Sequence, residues 1–108
     1  MANTFKNSFV KDVGVSASTV YVTPAATQTT VIGLSIANTT NAVVTSDIYV
    51  SSGGVDYYMV KGVTIPAGGS LVPIGGDQKL VLESDDALKI VSSTAASLDV
   101  ICSLLEIS

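Results

Sequence analysis

Between residues 60 and 91 the chain reads VKGVTIPAGGSLVPIGGDQKLVLESDDALKIV, and this stretch limits the fold more than any other. Its apolar runs, Val63–Ile65, Leu71–Ile74, Leu80–Leu82 and Leu88–Val91, are three or four residues long and separated by turn chemistry. Pro66 with Gly68-Gly69 makes one reversal, Gly75-Gly76-Asp77 a second and Ser84-Asp85-Asp86 a third. Proline presets φ, glycine tolerates positive φ, and Asp and Ser close local side-chain hydrogen bonds. Runs this short cannot be ordinary helices, and their Val, Ile and Leu content suits a half-buried sheet. The expectation is a ladder of short strands around which the rest of the chain packs.

Composition points the same way. Of 108 residues, 16 are Val, 8 Ile and 11 Thr, a strong bias toward strand, while helix formers are scarce, with two Glu, two Gln, five Lys and no Arg. This length suits one domain, large enough to hold a core without covalent staples. The chain is 47% hydrophobic and 13% charged. No apolar run approaches the roughly 18–20 residues of a membrane helix. The apolar excess instead implies strands buried on both faces, or faces covered by other subunits.

Charge and residue usage exclude several function classes. The net charge is −4 and the five Lys are dispersed, which argues against a nucleic-acid surface. With no His, the usual nucleophile–base sets and neutral-pH proton shuttles lack their default residue. Cys102, the single cysteine, excludes an intrachain disulfide framework and reads as a buried small hydrophobe. Zinc sites of the Cys/His kind are likewise excluded. Asp85-Asp86 reads as a turn pair rather than an acid dyad. Asp47, Asp56, Asp77 and Asp99 fall one per segment, without the DxDxDG spacing of a calcium loop, although loop carboxylates leave calcium open. The glycine pairs lack the Lys-Ser/Thr and helix that a phosphate cradle requires. The reading is a non-enzyme without metal or cofactor.

Taken in order, residues 1–11 form a polar N-terminal arm carrying Phe5 and Phe9, and 12–108 a single β-sandwich domain. The arm either pins to its own domain or docks on a neighbouring subunit. Its segment MANTFKNSFVKD has no apolar core of the secretory kind, so synthesis in a reducing cytoplasm is expected. Val13–Val22 alternates with a slip at Ala17-Ser18, as one bulged strand or two short ones would. Residues 30–37, TVIGLSIA, alternate most cleanly and predict a central strand. Residues 43–50 and 55–61 flank Ser51-Ser52-Gly53-Gly54 as a hairpin, with Tyr57, Met59 and Lys61 on one face and Asp56, Tyr58 and Val60 on the other. The closing LDVICSLLEI, apolar on both faces, should be central or covered. About eight short strands at this spacing predict an all-β fold, an antiparallel sandwich of jelly-roll type.

Several segments carry a family resemblance: MANTFKN at the start, TVYVTPAATQTTVIGLSIANTT (19–40), VDYYMVKG (55–62), IPAGGSL (65–71), GGDQKLVLESDDALKIVSS (75–93) and SLDVICSLLEI (97–107). Over nearly its whole length the chain resembles a family of small structural proteins of tailed bacteriophages, of the marine and cyanophage type. The resemblance implies a non-enzymatic virion component, assembled in the host cytoplasm and repeated around the particle as head decoration, neck or tail protein. Its partners would be copies of itself and other virion proteins, with no nucleic acid and no membrane. Phe5, Phe9, Tyr57 and Tyr58 are the candidate interface residues. The alternative is a carbohydrate- or host-surface-binding module, in which exposed, coplanar tyrosines beside Asp56 would take a surface glycan.

Overall fold

The computed structural model describes residues 3–74 and 79–108. Among the described residues the chain forms nine strands and no helix: β1 (Asn3–Val13), β2 (Ser18–Val22), β3 (Gln28–Asn38), β4 (Val44–Ser52), β5 (Val55–Ile65), β6 (Ser70–Ile74), β7 (Leu80–Leu82), β8 (Ala87–Ser92) and β9 (Leu98–Ile107). Sheet A runs β1-β9-β3-β6, with β7 also paired to β3; sheet B runs β2-β8-β4-β5. Every pairing is antiparallel. The chain changes sheet at each connection except the β4–β5 hairpin and the step from β6 to β7. A five-stranded and a four-stranded layer wound in this way, with β6 and β7 sharing one edge of β3, are a jelly roll.

The alternation in 30–37 holds from Leu34 onward, but an irregularity in the β3–β9 pairing between Val31 and Gly33 puts Val31, not Ile32, in the core. Leu34 and Ile36 point inward and are buried, and β3 sits between β9 on one side and β6 and β7 on the other. β9 is central as well, with Leu98, Val100, Cys102 and Leu104 facing the core. Sheet B answers with Val44, Ile48, Leu88 and Ile90. The core is therefore centred on β3 and β9, while β5, β6 and β7 form a margin. Of the predicted ladder only β8 is interior to its sheet.

Two turns follow from their residues. Gly53 and Gly54 both adopt positive φ, 59° and 81°, the left-handed pair that a two-residue hairpin turn of the right twist needs. The Asp86 amide donates to the Glu83 carbonyl at 3.0 Å, and Asp86 Oδ2 accepts from the Glu83 amide at 3.0 Å, so Asp85-Asp86 serves as a turn. The reversal predicted at Gly75-Gly76-Asp77 lies outside the described residues.

Three expectations change. Residues predicted as an arm are, from Asn3 onward, β1, paired with β9 from Asn3↔Ile107 to Val10↔Val100. The Val13–Val22 stretch is shared between the sheets, because the chain leaves β1 at Val13 and enters β2 at Ser18. Val63–Ile65 continues β5 instead of standing alone: Gly62, at φ 66°, accommodates an irregularity in the pairing, and its amide donates to Asp47 Oδ1 at 2.6 Å. This irregularity, with the one between Ile48 and Tyr49, shifts the faces of β5. Lys61 thus joins Tyr58, with Nζ 4.2 Å from the ring centroid, rather than Tyr57.

Cys102 is fully buried in β9, and burial pushes its thiol up to about 11. A neutral, enclosed thiol is a poor nucleophile. It should resist a water-soluble thiol reagent at neutral pH in the native protein and label at once in denaturant. Rapid native labelling, followed by absorbance or mass, would contradict this placement.

Candidate functional site

In its first part, before Val10 and Val13 return to the core, strand β1 inverts the polarity of the inner strands. Its residues opposite the core-facing Leu104 and Cys102 are Lys6 and Ser8, whereas Phe5 and Phe9 lie opposite Leu105 and Ile101 on the outer face. The phenylalanines are 76% and 66% exposed. A one-residue slip would exchange the two sets, and specific contacts at the inner margin hold the register against it. The Ser8 hydroxyl donates to the Val20 carbonyl at 2.5 Å, tying sheet A to sheet B, and Lys6 Nζ lies 3.1 Å from Glu106 Oε1.

The outer face of sheet A continues this apolar character in rows across the strands. Phe5 pairs with Leu105, Leu105 with Thr30 and Thr30 with Val81. A second row runs from Asn7 through Ser103 to Gly33, and a third from Phe9 through Ile101 to Ser35. Ile101, Val81 and the β6 residue Val72 are each more than half exposed. None of the three rows contains a charged residue. The charges near the far end of the face include Lys11 and Asp99, which pair at 3.4 Å. Of this surface, the sequence singled out Phe5 and Phe9. Ile101 and Leu105 are the second apolar face that the closing strand showed in sequence, and Val81 joins them through a strand pairing with no local signature.

Tyr57 and Tyr58 lie elsewhere, on β5, the margin of sheet B. The four candidate interface residues do not converge. Tyr58 stacks against Tyr49, centroids 5.0 Å apart and planes tilted by 37°, with Lys61 over its ring and held to Asp47 at 3.7 Å. Tyr57, 61% exposed, precedes it on the strand and shares none of these contacts. The pair does not form a coplanar platform.

At the opposite margin Glu106 gathers Lys6 and Tyr21, a constellation no sequence pattern announces because its members are separated by most of the chain. Tyr21 donates its hydroxyl to Glu106 Oε2, and its oxygen lies 3.0 Å from Thr29 Oγ1. Burial, reinforced by the hydrogen bond to Glu106, pushes the Tyr21 phenol up to about 12. The same hydrogen bond, with help from Lys6, holds Glu106 below the usual carboxylate range against the opposing effect of burial. The two groups act at opposite ends of the pH scale. The Glu106 contribution is present at neutral pH and is lost as pH falls through and below the ordinary Glu range. The Tyr21 contribution is complete below the ordinary phenol value and is lost as pH rises toward 12. Glu106→Gln should therefore cost about 1 kcal/mol at neutral pH, with the deficit disappearing in acid. Urea titrations at a series of pH values check this, and a deficit independent of pH contradicts it.

Carboxylates elsewhere are engaged singly. Asp86 Oδ1 accepts from the Ser52 hydroxyl at 2.6 Å, and Asp47 serves Gly62 and Lys61. Among the described residues no three His, Cys, Asp or Glu side chains come together as a metal-binding group.

No family model matches the chain, and no curated protein matches it in sequence. Among solved structures, a subunit from Bacillus endospore appendages, a family of disulfide-linked pili, is similar with a TM-score of 0.57 at 16% identity, over 98% of this chain and 88% of that one. That similarity is one of fold. Two viral structures align more loosely: infectious bursal disease virus, Gx strain, at TM-score 0.43 and 10% identity over 96% of this chain and 35% of that one, and the STIV MCP at 0.33 and 13% over 95% and 48%. Neither is near enough to carry an argument.

Proposed function

We propose that the protein is a non-enzymatic structural component of a tailed-bacteriophage particle, present in repeated copies as a head decoration, neck or tail element. The observation that carries the reading is the outer face of sheet A, where Phe5, Phe9, Val72, Val81 and Ile101 are each more than half exposed. Five exposed large apolar side chains gathered on one face of a small domain mark a surface that is covered in use. The phage assignment draws on the resemblance of the segments at 19–40, 55–62 and 75–93, and assembly in repeated copies is the use to which a jelly roll with such a face is suited. The fold neighbour from spore appendages also builds a repetitive assembly, a disulfide-linked one. Here the single cysteine is buried, so association through Cys102 disulfides is unsuited to the folded chain and non-covalent contacts take that role.

Quantitative mass spectrometry of gradient-purified particles tests the reading. The protein should co-purify with the major head and tail proteins in many copies per particle, and immunogold labelling should place it at one station. A protein abundant in infected cells but missing from purified particles would refute the assignment.

A further inference from the structure

We propose that the outer face of sheet A is a self-association surface, on which two copies of this chain pack face to face about a twofold axis. The inference rests on the reading above in that both take the chain to work in repeated copies, and it adds the face, the partner and the symmetry. Its first support is the inversion in the first part of β1, which spends its inner positions there on Lys6 and Ser8, bonded to Glu106 and the Val20 carbonyl, and turns Phe5 and Phe9 outward, apolar inner residues returning only at Val10 and Val13. A sandwich complete in itself would do the reverse.

The arrangement of rows identifies the occupant. The Phe5–Leu105 and Phe9–Ile101 rows flank the polar row of Asn7 and Ser103. A twofold axis along that middle row lays each copy's Phe5–Leu105 row on its partner's Phe9–Ile101 row, and polar row on polar row. Such self-complementarity is what an isologous interface requires. Charge agrees. The chain carries −4, yet the three rows carry none, so two like-charged molecules can meet here with their charges outside the contact. A partner of opposite charge would call for acidic residues on this face. Size sets the strength. Four strand positions and the five residues of strand that the three rows span give a face on the order of 15 by 17 Å, below the ~1,000 Å² of stable specific interfaces, so the dimer belongs to the weak, reversible class. Sheets stack at about 10 Å, a separation that the outward phenylalanines fill.

Sedimentation velocity over a concentration series tests the proposal with wild type, Phe9→Asp and, as a control on the far margin, Tyr57→Asp. Wild type should form a dimer, Phe9→Asp should weaken it by at least about thirty-fold, and Tyr57→Asp should leave it unchanged. Wild type that stays monomeric up to millimolar concentration overturns the proposal, as does a dimer indifferent to Phe9→Asp. Should that variant lose its β spectrum, hydroxyl-radical footprinting of wild type decides. Slower oxidation of Phe5 and Phe9 at high than at low concentration supports the face, and equal rates overturn it. A monomer still found in purified particles, its sheet A face cross-linked to a different virion protein, would overturn the twofold and leave the virion reading standing. A dimer through this face that is missing from particles would do the opposite.

Discussion

Replacing Ile36 with alanine is expected to cost roughly 2–5 kcal/mol. Ile36 is fully buried on β3, and that strand is hydrogen-bonded on both sides, opposite Val100 of β9 and Leu71 of β6. Neighbours anchored in two ladders cannot collapse readily into the space left behind, so both the transfer loss and the cavity contribute. A domain of this size has about 5–15 kcal/mol in total. The variant should therefore keep its fold with a midpoint lowered by roughly 10–30 °C. Denaturant titration is the measurement, and a change under about 0.5 kcal/mol would mean that the site relaxes in a way this packing does not allow.

Asn38 should prove the most sensitive polar position. It is 2% exposed at the end of β3. Its Nδ2 donates to the carbonyls of Ala42 at 2.8 Å, Ile65 at 3.0 Å and Pro66 at 3.2 Å, sharing one proton between two of them. Its Oδ1 accepts from the Thr40 amide at 2.9 Å and the Thr40 hydroxyl at 2.8 Å. One side chain thus ties the end of a sheet A strand to the loop that follows it and to the end of β5 in sheet B. Asn38→Ala strands several buried groups at once and should cost about 2–4 kcal/mol. Asn38→Asp discriminates further. A carboxylate cannot donate to three carbonyls, so the folded variant must hold a proton there, and its carboxyl is raised above its unfolded value. Stability is then retained below the ordinary Asp range and lost as pH rises through the raised folded value. The deficit of Asn38→Asp relative to wild type should be smaller near about pH 4 than at neutrality. Equal deficits at the two pH values would show that the amide's donors are not what matters.

Much of this architecture was legible where the signal is local. The period-2 run at 30–37 marked β3 as central and gave the face of Leu34 and Ile36, though not the extra residue that turns Val31 rather than Ile32 inward, and Gly53-Gly54 marked the hairpin because both residues must be left-handed. The closing strand, apolar on both faces, did prove central. What was missed is non-local. β1 carries just Phe5, Phe9, Val10 and Val13 as large apolar residues among polar ones, and read alone it resembles an arm. Only its pairing with β9 makes it a strand. The irregularity between Tyr58 and Val60 moves Lys61 onto the Tyr58 face, and a strict alternation cannot foresee one extra residue. The apolar outer face was half visible in its two phenylalanines. Its remaining members come from β6, β7 and β9, brought alongside by topology, and Tyr21 reaches Glu106 in the same way.

The pairing of Asn3 with Ile107 also has a consequence for how the chain is made. β1 emerges from the ribosome first of the nine strands, and the one strand it bonds to emerges last. At the usual elongation rate of about 5–20 residues per second, its backbone and its two phenylalanines wait for several seconds with nothing to pair with. β3 can pair with β6 and β7 earlier, but β9 alone joins it to β1, so sheet A is completed only after β9 is made, by closure of the long loop between β1 and β9. During that interval Lys6 and Lys11 flank and interrupt the aromatic stretch, the gatekeeper placement that keeps an unpaired apolar strand from finding another nascent chain too early.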